Sequence, residues 1–281
     1  MSTTKQSVFR KGSTTYFYSS LLFEKDDWQK VATLYEFVRR VDDCVDVVGG
    51  QVDTDRLPQL YEEWRGVVGG GESRYRWVND FHTLSEQVGF EHSWIEAFFH
   101  SMFLDLHNTP CHTLKDTQRY MYGSAEVIGL MMNRIVGIHG RTADMCAQLQ
   151  GRAMQYINFL RDIDEDCGLG RQYIPIEILK KHGLSSLKKD VALRQSEAFY
   201  SLMRAEINRY QEWQVQAERG YRYLPFRARL AVSTAARLYN WTARVIQHDP
   251  SIVYRLKVKP RKRRVVMTML QALYASKRVN V

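Results

Sequence analysis

Residues that interrupt helices or staple small folds are scarce in this chain. Proline occurs only 6 times in 281 residues, and most of the sequence lacks strand-like alternation, so long helices are the expected elements. The four cysteines, Cys44, Cys111, Cys146 and Cys167, show no CxxC spacing and no paired histidine pattern. That speaks against a zinc site, and scattered thiols in a chain of this size fit a reducing cytosol. No apolar run is long enough to span a bilayer. The opening, MSTTKQSVFRKGSTT, has no apolar signal core. Repeats, low-complexity tracts, dividing linkers and a glycine-rich nucleotide motif are also missing. The expectation is one all-α domain over 1–281, with 1–12 as a polar lead, cytoplasmic and at most peripheral to a membrane.

What the chain does have is apolar mass and positive charge. Hydrophobic residues make up 44%, enough for a large core, and charged residues 25%, an ordinary globular share. The formal charge of +9 and pI near 9.3 suit nucleic acid, anionic lipid or a phosphorylated substrate without choosing among them. From Asp26 apolar residues recur at helical spacing through Val48, and Gly49-Gly50 stops the helix. Further helices are expected from Asp55 to Val68, Ser93 to Leu106, Lys115 to His139, Thr142 to Asp166, Ser196 to Arg219 and Arg227 to Gln247. A short helix can start at Pro175, and a last one follows Lys262.

Two rows of oxygen-bearing side chains stand out. The first helix carries Asp42, Asp43 and Asp46 between valines. Asp42 and Asp46 share a face at i and i+4, where like charges destabilise a helix, and acids at a helix C-terminus oppose its dipole. The second row is Asn158, Asp162 and Asp166 at i, i+4 and i+8, with Gln155 one turn earlier and Ile157, Phe159, Leu160 and Ile163 around it. Ligands that are all oxygen suit a hard cation, magnesium or alternatively manganese. Bridging cations between two such helices would turn carboxylate repulsion of a diphosphate into a clamp. Arg39, Arg161, Arg171 and Tyr173 lie beside the rows, and guanidinium groups suit oxyanions.

The run Tyr35-Glu36-Phe37-Val38-Arg39-Arg40-Val41-Asp42-Asp43-Cys44-Val45-Asp46, and the run Gln155 through Asp166 followed by Gly170-Arg171-Gln172-Tyr173-Ile174-Pro175, resemble the two motifs of the squalene and phytoene synthase family, the head-to-head prenyl diphosphate synthases. The resemblance covers most of the chain, from about Gly12 onward. It implies an isoprenoid-synthase helical bundle around a central cavity. Asp42 and Asp46 would bind metal on one wall, and Asn158, Asp162 and Asp166 on the other. It implies substrate contacts at Ser13, Thr14, Thr15, Tyr35, Arg39, Gln155 and Arg161 and cavity tyrosines at Tyr122 and Tyr239. Arg39, Asp42, Asp46, Asp162 and Tyr239 are the implied catalytic set. One departure is Ala125-Glu126, where the family often has Ala-Gly.

The family reaction joins two prenyl diphosphates through a cyclopropyl intermediate, which then ionises and rearranges. Of its branches, the resemblance favours phytoene formation from two geranylgeranyl diphosphates. The alternative is dehydrosqualene or squalene from two farnesyl diphosphates, with NADPH needed only for squalene. A non-catalytic assembly role would go with eroded aspartates, and both motifs are intact. The basic run Arg255, Lys257, Lys259, Arg261, Lys262, Arg263 and Arg264 lacks a stacking motif for nucleic acid and is a candidate for contact with anionic membranes. The expected outcome for the motifs is that Asp42→Asn or Asp162→Asn leaves the helical circular-dichroism spectrum intact and abolishes turnover, and that excess chelator abolishes it in the unaltered protein.

Overall fold

The computed structural model describes residues 14–45 and 53–278, with side chains for 16–45 and 53–274. No strand occurs among the described residues. The helices in chain order are α1 (Thr14–Ser20), α2 (Lys25–Asp42), α3 (Arg56–Val68), α4 (Arg76–Val88), α5 (His92–Leu106), α6 (Leu114–Met121), α7 (Val127–Ile135), α8 (Arg141–Arg161), α9 (Ile163–Gly168), α10 (Ile176–Lys181), α11 (Lys189–Arg194), α12 (Ser196–Glu218), α13 (Phe226–His248) and α14 (Lys262–Arg278). A π-helical turn, Tyr122–Glu126, joins α6 to α7, and 3-10 turns at Arg219–Tyr223 and Pro250–Tyr254 flank α13.

The long helices divide their surfaces between packed cores and a shared cavity. On α2, Phe37 is 1% exposed. It stacks on Phe81 with ring centroids 3.7 Å apart and meets Trp64, Phe98 and Phe99 at tilted or edge-on angles. This aromatic burial ties α2 to α3, α4 and α5. The other stripe of α2, from Val31 through Leu34, Tyr35 and Val38 to Arg39 and Asp42, lines the cavity, as the three- and four-residue spacing requires. On α8, Tyr156, Ile157 and Leu160 are buried in a second core with Met203 and Ile207 of α12. Tyr156 donates its hydroxyl to Glu206 within that core.

Backbone builds the wall between α7 and α8. A Cβ on Gly129 would lie 2.3 Å from the Ala147 carbonyl oxygen, and one on Gly151 would lie 2.3 Å from that of Ala125. Only glycine permits so close an approach. Glu126, at the position where the family often carries glycine, turns away from the cavity. It is 2% exposed and accepts a 2.6 Å hydrogen bond from Arg152 Nε. Burial raises its pKa, and the Arg152 guanidinium, itself set over the Trp213 ring, opposes the shift.

Three helix ends differ from the apolar periodicity. The first motif's helix was expected to reach Val48 and ends at Asp42, passing into a turn through Val45. Acids crowding a negative helix end oppose its extension. The Lys115–His139 stretch is interrupted by the π turn, and its last helix stops at Ile135. The Thr142–Asp166 stretch breaks at Asp162, whose φ of −102° and ψ of 16° leave the helical region. Amide bonds of 2.8 Å still run from Asp162 to the Asn158 carbonyl and from Asp166 to that of Asp162, so the row bends without separating. The close approach of α8 generates a stability expectation: Gly151→Ala lowers unfolding free energy by about 3 kcal/mol in urea titration, because the obstructing atom is a backbone carbonyl and cannot rotate aside.

Candidate active site

One cavity of about 1250 Å³ runs between these helices. Its chemistry is graded along three of its helices. On α2 the lining passes from Val31 and Leu34 to Arg39 and Asp42, and on α8 from Ala143 and Ala147 to Asn158 and Asp162. On α13 it passes from Ala228 and Ala231 to Tyr239. The C-terminal ends of α2 and α8 therefore meet the same polar end, where their dipoles add negative potential to the carboxylates. That potential favours cations.

The described cations are arranged accordingly. Arg39 bonds Asp42 at 2.7 Å and Asp43 at 2.6 Å. Arg161 holds Asp162 through two bonds, Nε at 2.9 Å and Nη2 at 2.6 Å. Burial opposes the charge on Arg161, but the Asp162 carboxylate with nearby tyrosines holds its pKa above the ordinary value. Lys257 reaches Asp162 at 3.4 Å and pairs with Glu165. Lys259 lines the same end, and its pKa is lowered by burial and by Lys257 and Arg161. Arg171, 9% exposed, donates from Nη2 to the Val45 carbonyl at 2.6 Å. This bond joins the loop after the second motif directly to the end of the first.

The residues present fit a hard divalent cation. Asn158 Oδ1 is buried with no hydrogen-bond partner among the described residues, which carries a desolvation cost unless a ligand meets it. Asp166 is pushed from the ordinary 3.8 up to about 8 by burial and then by the Asp162 charge. A second carboxylate in a dry wall stays protonated unless positive charge arrives. Asn158, Asp162 and Asp166 on one wall and Asp42 on the other offer oxygen alone. No group of three or more His, Cys, Asp or Glu among the described residues is arranged as a metal site by itself, so the amide oxygen and both walls belong to the fit.

The structure brings Tyr35, Arg39, Asp42, Gln155, Asn158, Arg161, Asp162, Asp166, Arg171, Tyr173 and Tyr239 to this one cavity. Burial raises Tyr35 to about 12, and the Tyr239 ring lies 5.9 Å from that of Tyr16. Asp46, Ser13 and the side chains of Thr14 and Thr15 lie outside the described residues. Tyr122, expected as a cavity tyrosine, is not among the lining side chains and packs against the α2–α5 core. Tyr120 of α6, Ser124 of the π turn and Ile128 of α7 line the cavity on this side. Sequence reasoning also passed over Asp105, 6% exposed, which accepts from Tyr120 at 2.6 Å and Tyr173 at 2.7 Å. An acid closing the apolar stretch Ser93 to Leu106 was the available signal. Lys257 and Lys259, grouped by sequence with a surface charge run, face the cavity.

A family model described as squalene/phytoene synthase matches residues 9–271. The 15-cis-phytoene synthase of Enterobacter agglomerans is 31% identical over 244 residues, covering 82% of this chain and 80% of that protein. The presqualene diphosphate synthase of Sinorhizobium fredii is 30% identical over 164 residues, covering 56% of this chain and 57% of that one. A crystal structure of a dehydrosqualene synthase in complex with a ligand shares the fold, with a TM-score of 0.85 at 20% identity, over 98% of this chain and 95% of that one.

The raised Asp166 carboxyl sets a pH dependence. Its folded pKa, about 8, exceeds its ordinary value, so the native state binds the proton more tightly and stability without metal falls as pH climbs from about 4 to 8. A cation held there would compete with that proton. The expected result is that magnesium with inorganic diphosphate raises the melting temperature more at pH 8.5 than at pH 6.5, by differential scanning fluorimetry, and that Asp166→Asn removes the difference. An equal rise at both pH values in the unaltered protein would count against Asp166 as a ligand.

Proposed function

The chain belongs to the squalene/phytoene synthase family, and from that premise we propose that this prenyltransferase condenses two C20 prenyl diphosphates head to head to phytoene. The graded cavity carries the reading. Its charged end suits diphosphates and its long apolar end suits their hydrocarbon tails. At about 1250 Å³ it exceeds the roughly 300–1,000 Å³ of pockets for single drug-sized ligands, which leaves room for two chains. The phytoene synthase relative supports the C20 assignment.

In this reading Arg39 and Arg161, already paired with Asp42 and Asp162, bind diphosphate oxygens as the carboxylates turn to metal. Magnesium held by Asp42, Asn158, Asp162 and Asp166, with Asp46, would neutralise the departing diphosphate. Tyr16, Tyr35 and Tyr239 stand where the charged and apolar zones meet. Their ring faces stabilise an allylic cation, and the apolar walls keep water from it. Asp105 holds the Tyr173 and Tyr120 hydroxyls and so positions the loop behind the second motif.

Chain length is set by how far the apolar end extends. α1 and α13 run antiparallel along it: Tyr16 faces Tyr239, and further along Arg227 Nε donates to the Leu22 carbonyl at 3.1 Å. Ser20 lies one turn inward of Tyr16, 3% exposed, and its hydroxyl is engaged by the Phe17 carbonyl at 2.8 Å. With Ala228, Ala231 and Ala235 it keeps this stretch open. Incubation with magnesium and C15 or C20 diphosphate, with and without NADPH, followed by identification of the hydrocarbon, tests the proposal. Phytoene from the C20 substrate, unaffected by NADPH, is expected. Ser20→Phe should cut C20 turnover at least tenfold more than C15 turnover, because a ring there closes the deep end. Squalene or dehydrosqualene from the C15 substrate, with no C20 product, would assign the chain to the other branch.

A further inference from the structure

The last helix has an outer face that the reaction does not use. In α14, Val265, Thr268 and Ala272 turn inward and are buried. Val266, Met267, Leu270 and Tyr274 are 52%, 57%, 56% and 60% exposed. Val266, Leu270 and Tyr274 follow at i, i+4 and i+8, with Met267 beside them, so they form one outward apolar row. Scattered exposed hydrophobic residues are ordinary, but a row of four large ones on one helix marks a contact surface.

The charge around the row identifies the occupant. Arg261, Lys262 and Arg263, at the start of α14, are exposed and make no ion pair among the described residues. Arg264 stacks over Trp241, 4.7 Å from the ring centroid. From Pro250 to Val281 the sequence contains no Asp or Glu. A helix with an apolar face and cations at its flank, and no helix of the described residues long and apolar enough to cross a membrane, has the form of an element lying in the headgroup plane. We propose that the outer face of α14 docks on an anionic lipid bilayer, inserting Val266, Met267, Leu270 and Tyr274 while Arg261, Lys262 and Arg263 engage lipid phosphates.

This surface is distinct from the cationic residues at the cavity. Within the run from Arg255 to Arg264, Arg255 pairs with Asp249, Lys257 with Glu165 and Asp162, and Lys259 lines the cavity. The run is thus divided: its first half closes the polar end, and its second half begins the docking helix. Pro260, itself in the cavity lining, separates them. Lys259 and Pro260 of the cavity lining lie directly before α14 in the chain, so docking of its first turn holds this part of the lining close to the headgroups.

Sedimentation with sucrose-loaded vesicles tests this on the full chain without substrate, so its outcome is independent of the reaction assigned above. The vesicles are phosphatidylcholine alone or mixed with phosphatidylglycerol. Pelleting with the anionic vesicles is expected, weakened but not abolished by high salt. Each cation near such a surface is worth roughly fivefold in partitioning, so the triple variant Arg261→Gln, Lys262→Gln, Arg263→Gln should bind about a hundredfold more weakly. Val266→Ser with Leu270→Ser should lose roughly tenfold or more. Both variants should turn over detergent-dispersed substrate as the unaltered protein does, which separates docking from folding. Failure to bind anionic vesicles, or binding that both variants retain, overturns the proposal. So does a dimer in light scattering that Val266→Ser with Leu270→Ser dissociates without any change in vesicle binding.

Discussion

Two helix ends bring carboxylates together at one end of a largely apolar cavity, and the energetic problem this creates organises the rest of the molecule. α2 and α8 each deliver acids at a C-terminus, where the dipole is already negative. Unpaired, such charges in a dry wall would cost several kcal/mol each. Arg39 and Arg161 answer that cost from within the same helices. Lys257 answers it from a distant segment, and Asp166 answers it by keeping its proton. In the proposed reaction these same interactions would exchange partners, each guanidinium that balances a carboxylate turning to a phosphate oxygen as metal takes its place.

The same constraint explains features that look unrelated to chemistry. Arg171 joins the two carboxylate walls through the Val45 carbonyl, so the distance between them is not left to helix packing alone. Asp105 fixes two tyrosine hydroxyls behind the second motif and holds the loop that carries Arg171. Polar groups that cluster where water is scarce must each find a partner. Within the second oxygen row, Asn158 Oδ1, which has none among the described residues, stands out for that reason.

Sequence made much of this legible. All-helical architecture followed from scarce proline and from helical spacing, and the two acidic rows announced the site because charge recurred at turn spacing among apolar residues. Spacing could not show where a helix ends when its last turn is electrostatically opposed, as at Asp42, nor the π turn that interrupts the helix after Met121. Long-range pairings were equally silent: Lys257 lies ninety-two positions from Glu165, and its role as a counter-ion depends on the fold. Sequence left open whether Glu126 alters the cavity wall or points away from it; its partner Arg152 holds it off the cavity lining.

The cavity has walls of two kinds, and this has a consequence for how such proteins diversify. Between α7 and α8 the lining is backbone in near contact at Gly129 and Gly151, so any side chain added there meets a carbonyl before it meets a ligand. Change at those two glycines is filtered by folding. Across the cavity, α1 and α13 present Ser20, Ala228 and Ala231, small side chains with open space before them, where mutation can reshape the interior while the bundle survives. On the proposed reading, variation in product size is accommodated on the α1–α13 side, with the two glycines as the fixed scaffold.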